Sequence, residues 1–90
     1  MYYDWDKNKR VANIAKHGVD FADADLFDWA SAFESQDDRA HYGEERFVAI
    51  GLIGKRLHIL IYTKRGRAIR LISLRRANKR EKEFYEKTQT

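Results

Sequence analysis

The fold is decided by residues 46–75, which read RFVAIGLIGKRLHILIYTKRGRAIRLISLR. β-branched and other large apolar residues fill this stretch, and turn residues interrupt it at Gly54-Lys55 and Arg65-Gly66. Strands of this composition joined by glycine-containing tight turns are typical of β-hairpins. The stretch therefore predicts three antiparallel strands over residues 46–53, 57–63 and 68–75.

The segment before this meander has a helical period. Residues 6–17 predict a helix with one inward apolar face, formed by Val11, Ile14 and Ala15. Gly18 follows at the position where helices commonly end on a left-handed glycine. Residues 20–29 predict a second helix, with Asp20 as its N-cap.

The remaining segments complete an α+β domain that spans residues 1–90. Residues 32–36 predict a further strand, residues 2–5 a short edge strand, and residues 37–45 a polar loop. After the meander, Asn78 and Glu81 have the spacing of a capping box at the start of a last helix. The order predicts an antiparallel sheet of about four strands with two N-terminal helices and one C-terminal helix. We expect the helices on one sheet face and much of the basic charge on the open face.

Charge is segregated along the chain, although the net charge is only +4. The segment from Asp20 to Glu45 holds nine acids and one base, whereas the segment from Lys64 to Lys82 holds nine bases and one acid. Such separation favours one surface for a polyanion and another for a different partner. Solvated faces that segregate without any partner would give the same pattern.

Composition excludes several classes of function. The chain contains no cysteine, which removes thiol catalysis and cysteine-based zinc sites and is typical of a reducing compartment. His17, His41 and His58 lack the spacing of a metal site, so we expect neither metal nor cofactor. A charged stretch follows Met1 directly, and the longest apolar run, residues 57–62, is too short to span a bilayer. We therefore expect a cytoplasmic protein without membrane contact.

Three blocks of the sequence resemble the BrnT family of toxins. They are Trp5-Asp6 with Lys9, Asn13 and Lys16-His17-Gly18-Val19; Gly43-Glu44-Glu45-Arg46-Phe47 with Ile50-Gly51; and residues 70–77 (RLISLRRA) with Glu81 and Tyr85. The blocks occur in the family's order and cover nearly the whole chain. The resemblance implies a RelE-like fold, ribonuclease activity and neutralisation by a DNA-binding antitoxin of the BrnA type. It also implies that operator DNA is bound only through that antitoxin.

The implied chemistry is metal-independent RNA cleavage, which inhibits translation and growth. It requires a base for the 2′-hydroxyl, positive groups for the phosphorane and an acid for the leaving oxygen. We predict that Arg46 and Arg75 bind the phosphate, and Arg70 and Arg76 are the next candidates for this role. Strand alternation predicts Arg70 and Arg76 on one sheet face, and Arg75 with Ser73 on the other.

Three further residues are candidates for proton transfer, and each has a structural alternative. Glu45 is either the general base or a loop carboxylate in an ion pair. His17 is either a proton shuttle or a histidine that stabilises a helix C-terminus. Tyr85 either orients or protonates the substrate, or packs in the core with its hydroxyl at the edge.

Positive side chains elsewhere are predicted to give RNA a salt-dependent backbone affinity: Lys9, Lys16, Lys64, Arg65, Arg67 and Lys79. A rival hypothesis, a non-catalytic nucleic-acid-binding module, explains the basic segment equally well. A protein-interaction surface built from exposed aromatic residues is compatible with either.

Overall fold

The computed structural model describes residues 2–38 and 43–90. The elements, in chain order, are β1 (Tyr2–Asp4), α1 (Lys7–His17), two 3₁₀ segments (Phe21–Leu26 and Trp29–Ser31), β2 (Phe33–Asp37), β3 (Arg46–Ile53), β4 (Arg56–Arg65), β5 (Ala68–Arg76) and α2 (Lys79–Thr88). His41 and part of the loop predicted over residues 37–45 lie outside the described residues.

One five-stranded sheet organises the chain, in the order β1-β5-β4-β3-β2. The predicted meander is present, and Gly54 and Gly66 in its turns have positive φ angles of 63° and 58°. The α+β class is confirmed. The expectation of an antiparallel sheet of about four strands needs correction, because β1 joins the edge parallel to β5 and makes the sheet mixed.

The second predicted helix is wrong in type. Phe21, Ala24 and Phe27 are buried at a spacing of three residues, which matches the three residues per turn of a 3₁₀ helix. Asp20 does cap this segment, since its side chain accepts a hydrogen bond from the Ala22 N–H. A new cap at Asp28, which accepts from the Ala30 N–H, starts the second short segment instead of extending a helix.

Helix α1 ends at His17 with the predicted Gly18 cap and begins one residue later than predicted, after Asp6 as its N-cap, but its inward face is not the predicted one. Val11 and Ile14 are 66% and 40% exposed, whereas Asn13 is buried. The Asn13 amide donates to the Leu74 carbonyl at 2.7 Å and accepts from the Leu74 N–H at 3.1 Å. Past the end of β1, strand β5 has an open edge whose backbone groups need partners. Asn13 supplies them, so α1 lies along the sheet edge through a polar contact.

Two apolar clusters cover opposite faces of the sheet. On the face covered by the 3₁₀ segments (the 3₁₀ face), Phe21 packs with Leu60 and Leu74. On the other face (the α2 face), Ile59 packs with Tyr85 of α2. The expectation of all helices on one face is therefore wrong. Helix α2, which begins with the predicted Asn78–Glu81 capping box, covers one end of the second face.

A register shift in β5 changes which arginines share a face. Arg70 pairs with Thr63 and Arg75 with Ile59, and these two β4 residues lie on the same side of the sheet. The shift at Ile61/Tyr62 inserts one extra residue into β5 between these pairs. The predicted alternation is thus wrong, because Arg70 lies on the α2 face together with Arg75.

Candidate functional site

The structure brings some of the predicted site residues into a groove between α1 and β5, which we call the α1 groove. Its cavity volume is about 240 Å³. Helix α1 contributes Lys9, Lys16 and His17 to its lining, and β5 contributes Ser73 at the register shift. Lys9 and Lys16 are seven residues apart, which is close to two helical turns, so both ammonium groups lie on one flank of α1.

His17 is the candidate proton acceptor of the α1 groove. It is the last residue of α1, next to the left-handed Gly18 cap, and it is half-buried. Burial lowers the pKa of His17 below its usual 6.5, and the positive charges of Lys16 and Arg75 lower it further. The imidazole is therefore neutral at pH 7 and can accept a proton. Its location at a helix end is also the one that the structural alternative predicts.

Arg75 is fixed beside this groove by a bidentate ion pair. Its two terminal nitrogens donate to the two carboxylate oxygens of Glu81 at 2.8 and 2.7 Å. The Arg75 hydrogen bonds lower the pKa of Glu81, and the Asn78 N–H, which donates to the same carboxylate at 2.9 Å, lowers it further. Glu81 thus joins the start of α2 to β5. Arg75 acts on the groove as a positive charge held in place.

A row of polar residues crosses the α2 face beyond the end that α2 covers. Arg70 lies opposite Asp4 on one side and Thr63 on the other, with 3.5 Å between the Arg70 guanidinium and the Asp4 carboxylate. Two strands further, Arg46 lies opposite Asp37. Because Ser73 pairs with Ile61, two positions from Thr63, Arg70 is on the same face as the β5 side of the α1 groove.

Glu45 immediately precedes β3 and is exposed. Its carbonyl accepts a hydrogen bond from the Thr63 hydroxyl at 2.7 Å, which holds the backbone next to the polar row. Glu45 lies next to β3, and β4 separates β3 from β5 in the sheet order. Because the α1 groove is lined by α1 and β5, the structure does not bring Glu45 and His17 together.

Three predicted RNA-binding residues lie around the β4–β5 turn. Lys64 is on the 3₁₀ face, with its ammonium group 4.6 Å from the centre of the Phe47 ring. Arg65 is 3.5 Å from the Glu44 carboxylate, and Arg67 is exposed in the turn. These residues form a basic turn at the end of the sheet away from α2.

Two predicted catalytic residues and one RNA-binding residue lie at α2. Tyr85 is 8% exposed, and its hydroxyl donates to the Ser31 carbonyl at 2.8 Å, as the core alternative predicts. Arg76 is exposed at the end of β5, and Lys79 is exposed in the first turn of α2. The structure brings none of the three into the α1 groove.

Two contributors to this site were missed by sequence reasoning. Ser73 enters the α1 groove through a register shift, for which the sequence of β5 carries no distinct signal. Asn13 belongs to the first of the three sequence blocks that resemble the family. Its position in the middle of a helix could have indicated a specific contact, because a polar residue there often forms one. Among the described residues, no three side chains of the histidine, aspartate and glutamate types are grouped closely enough to hold a metal ion.

Comparison with known families matches residues 5–81 to the family described as ribonuclease toxin, BrnT, of type II toxin-antitoxin system. A search of curated proteins gives no match. None of the helices formed by residues 2–38 and 43–90 is long and apolar enough to cross a membrane. Since the match covers most of the 90 residues, the chain belongs to the BrnT family of ribonuclease toxins, whose type II system includes an antitoxin partner.

Proposed function

We propose that this member of the BrnT family is an endoribonuclease that cleaves RNA through the 2′-hydroxyl, without a metal, in the α1 groove. The observation that carries the proposal is the meeting of Lys9, Lys16 and His17 in one groove, beside the fixed charge of Arg75. A neutral imidazole surrounded by cations is suited to a substrate that supplies a phosphate and a hydroxyl proton.

The proposed reaction begins at the 2′-hydroxyl of a bound ribose. His17 accepts the hydroxyl proton, and the 2′-oxygen forms a bond to the adjacent phosphorus. The phosphorus–5′-oxygen bond then breaks, which leaves a 2′,3′-cyclic phosphate on one fragment. A lysine ammonium of the groove donates the proton that the 5′-oxygen requires. Lys9 and Lys16 also balance the negative charge of the phosphorane, which is the largest contribution expected from such a site.

The remaining basic residues have a different role in this proposal. Arg70 lies on the same face as Ser73, and Arg46 extends the polar row toward β2, so both arginines lie on a path for RNA that leads away from the groove. We propose that they bind the RNA backbone next to the cleaved bond, and that a phosphate replaces Asp4 as the ion-pair partner of Arg70. Glu45 and Tyr85 lie outside the reacting groups in this arrangement.

The family implies a wider setting, which we adopt as part of the proposal. The partner is an antitoxin of the BrnA type, and the pair binds operator DNA only through that antitoxin. The free toxin acts in the cytoplasm, where cleavage of RNA inhibits translation and growth. The five-stranded sheet with its C-terminal helix is then a variant of the RelE-like fold.

The test is incubation of the purified chain with RNA in excess EDTA, beside two double variants. Lys9→Gln/Lys16→Gln removes the groove cations, and Lys55→Gln/Lys87→Gln removes the same charge outside the groove. We expect cleavage by the wild type and the control pair and its loss in the groove pair. Cleavage that stops in EDTA would refute metal independence, and RNA binding without cleavage would favour the non-catalytic module.

A further inference from the structure

A second cavity lies at the C-terminal end of β5, between α2 and the β3–β4 hairpin. Its volume is about 360 Å³, and we call it the α2 pocket. Its floor is apolar and consists of Leu52, Leu57 and Tyr85. No residue of the α1 groove or of the polar row lines it. The proposed cleavage reaction therefore leaves this cavity without a function.

The rim of the α2 pocket is strongly positive. Four exposed cations surround the apolar floor, together with one carboxylate, that of Glu86; the cations are Lys55, Arg56, Arg76 and Lys82. In the described part of the chain, none of these four cations has a salt-bridge partner. The three arginines Arg10, Arg70 and Arg75 all have carboxylate partners. The pocket thus combines an apolar floor with positive side chains that lack salt-bridge partners among the described residues.

We propose that the α2 pocket is a docking site for an acidic segment of the antitoxin. One large aliphatic side chain of this segment enters the pocket, and the carboxylates on either side of it face the rim cations. Interfaces are anchored by apolar side chains in pockets and oriented by complementary charge at the rim. The proposal rests on the proposed function only in that the family supplies an antitoxin as the partner.

The chemistry of the floor favours a peptide over RNA. Nucleobases bind by stacking on exposed aromatic faces. The floor offers two leucines and a tyrosine that is only 8% exposed and whose hydroxyl is bonded to the Ser31 carbonyl. An aliphatic side chain fills such a cavity without leaving a polar group unpaired. The rim cations then select glutamate and aspartate on either side of the anchor.

The experiment measures binding of a fluorescein-labelled peptide, EEDLEEDLEE, to the full chain without RNA, by anisotropy at physiological ionic strength. Arg56→Gln/Lys82→Gln neutralises the rim, and Arg80→Gln/Lys87→Gln is the matched control, with the same charge loss on α2 outside the pocket. We expect about 5- to 20-fold weaker binding for the rim pair and less than twofold for the control. We also expect binding to be lost when serine replaces both leucines of the peptide.

Amide NMR shifts localise the peptide. We expect the largest shifts at Leu52, Leu57 and Tyr85. Equal binding by the rim pair and the control, or by the serine peptide, overturns the proposal. Larger shifts at these residues with a 2′-deoxy-blocked RNA strand than with the peptide also overturn it, in favour of an RNA subsite.

RNA cleavage by the same three proteins, the wild type, the rim pair and the control pair, separates this inference from the proposed function. Cleavage that survives while peptide binding fails refutes the docking site alone. Rim-dependent peptide binding by a chain that cleaves no RNA supports the docking site and refutes the proposed function alone.

Discussion

The α1 groove and the α2 pocket are both surrounded by positive side chains, yet their floors differ. The α1 groove has Asn13, His17 and Ser73 in its lining, groups that donate and accept hydrogen bonds. The α2 pocket has leucines and a tyrosine whose hydroxyl is already bonded. The rim charge selects an anion in both places. The residues of the floor decide whether that anion is a phosphodiester that reacts or a carboxylate next to an apolar side chain that fills the pocket.

Arg75 shows how the two regions are kept distinct although they share β5. Its neighbour Arg76 lines the α2 pocket, whereas Arg75 lies close enough to His17 to lower its pKa. The ion pair with Glu81 fixes the Arg75 guanidinium. The Glu81 carboxylate at the start of α2 thus positions a charge for the α1 groove, while the next residue of the same helix, Lys82, lines the α2 pocket.

The largest effect that separates the two regions is expected from His17→Gln. Loss of a general base reduces the cleavage rate by about 10²- to 10⁴-fold, while the dissociation constant for RNA changes little. Lys82→Gln, in the α2 pocket, is expected to leave the rate within about threefold. Single-turnover kinetics with a defined RNA measures the rate, and anisotropy measures binding. An unchanged rate in His17→Gln would transfer the base to another residue and remove the basis for the distinction.

Substitution of Asn13 tests whether the polar lining of the α1 groove also stabilises the fold. Asn13→Ala removes the partner of the buried Leu74 N–H and carbonyl and of the Val19 carbonyl, so we expect a loss of about 2–4 kcal/mol in the free energy of unfolding. Asn8→Ala, on the exposed side of the same helix, is the control. It should be neutral or slightly stabilising because alanine has the higher helix propensity.

Urea denaturation followed by circular dichroism measures both asparagine variants. Similar stabilities would mean that the edge of β5 does not depend on Asn13. Asn13 lines the α1 groove and does not line the α2 pocket, so the substitution tests the groove.

The meander could be predicted from the sequence because its signals are local. Apolar strands and the turns at Gly54 and Gly66 specify three antiparallel strands regardless of the rest of the chain. The Asn78–Glu81 capping box was predicted for the same reason. These features need only a few consecutive residues, and the structure confirms them.

The predictions that were wrong concern features that depend on contacts between residues far apart in the sequence. The inward side of α1 is set by the open edge of β5, which turns Asn13 inward and leaves Val11 exposed. The face of Arg70 relative to Arg75 is set by one extra residue in β5. Candidate site residues could therefore be chosen by type, but the partner of Arg75 and the separation of Glu45 from His17 required the structure. Their catalytic roles stay predictions.

Glu81 links the two regions, and its substitution should weaken stability moderately. Glu81→Gln removes the negative charge that pairs with Arg75, and we expect a loss of about 1 kcal/mol at pH 7. Because the folded-state pKa of Glu81 lies below its usual 4.5, this stabilisation is present above pH 4.5 and is lost as pH falls through the lower folded value.

The difference in unfolding free energy between wild type and Glu81→Gln should therefore be largest near neutral pH and shrink in acid. Thermal unfolding from pH 3 to pH 7 measures this difference. Glu83→Gln, exposed on the same helix, is the control and should show no such trend. A difference that persists in full at pH 3 would contradict a role for the ion pair.

The smallest effect concerns the pH dependence of cleavage. The kcat/KM profile of the wild type should fall in acid with an apparent pKa below 6.5, because His17 must be neutral and its pKa is lowered. Lys16→Gln removes one of the charges that lower it, so the acid limb should move upward toward 6.5. Lys7→Gln, on the same helix but outside the groove, should move it less, because Lys7 contributes nothing to the groove lining. An acid limb that moves equally in both variants would mean that His17 responds to overall charge, and the cations of the α1 groove would then act no differently from those of the α2 pocket.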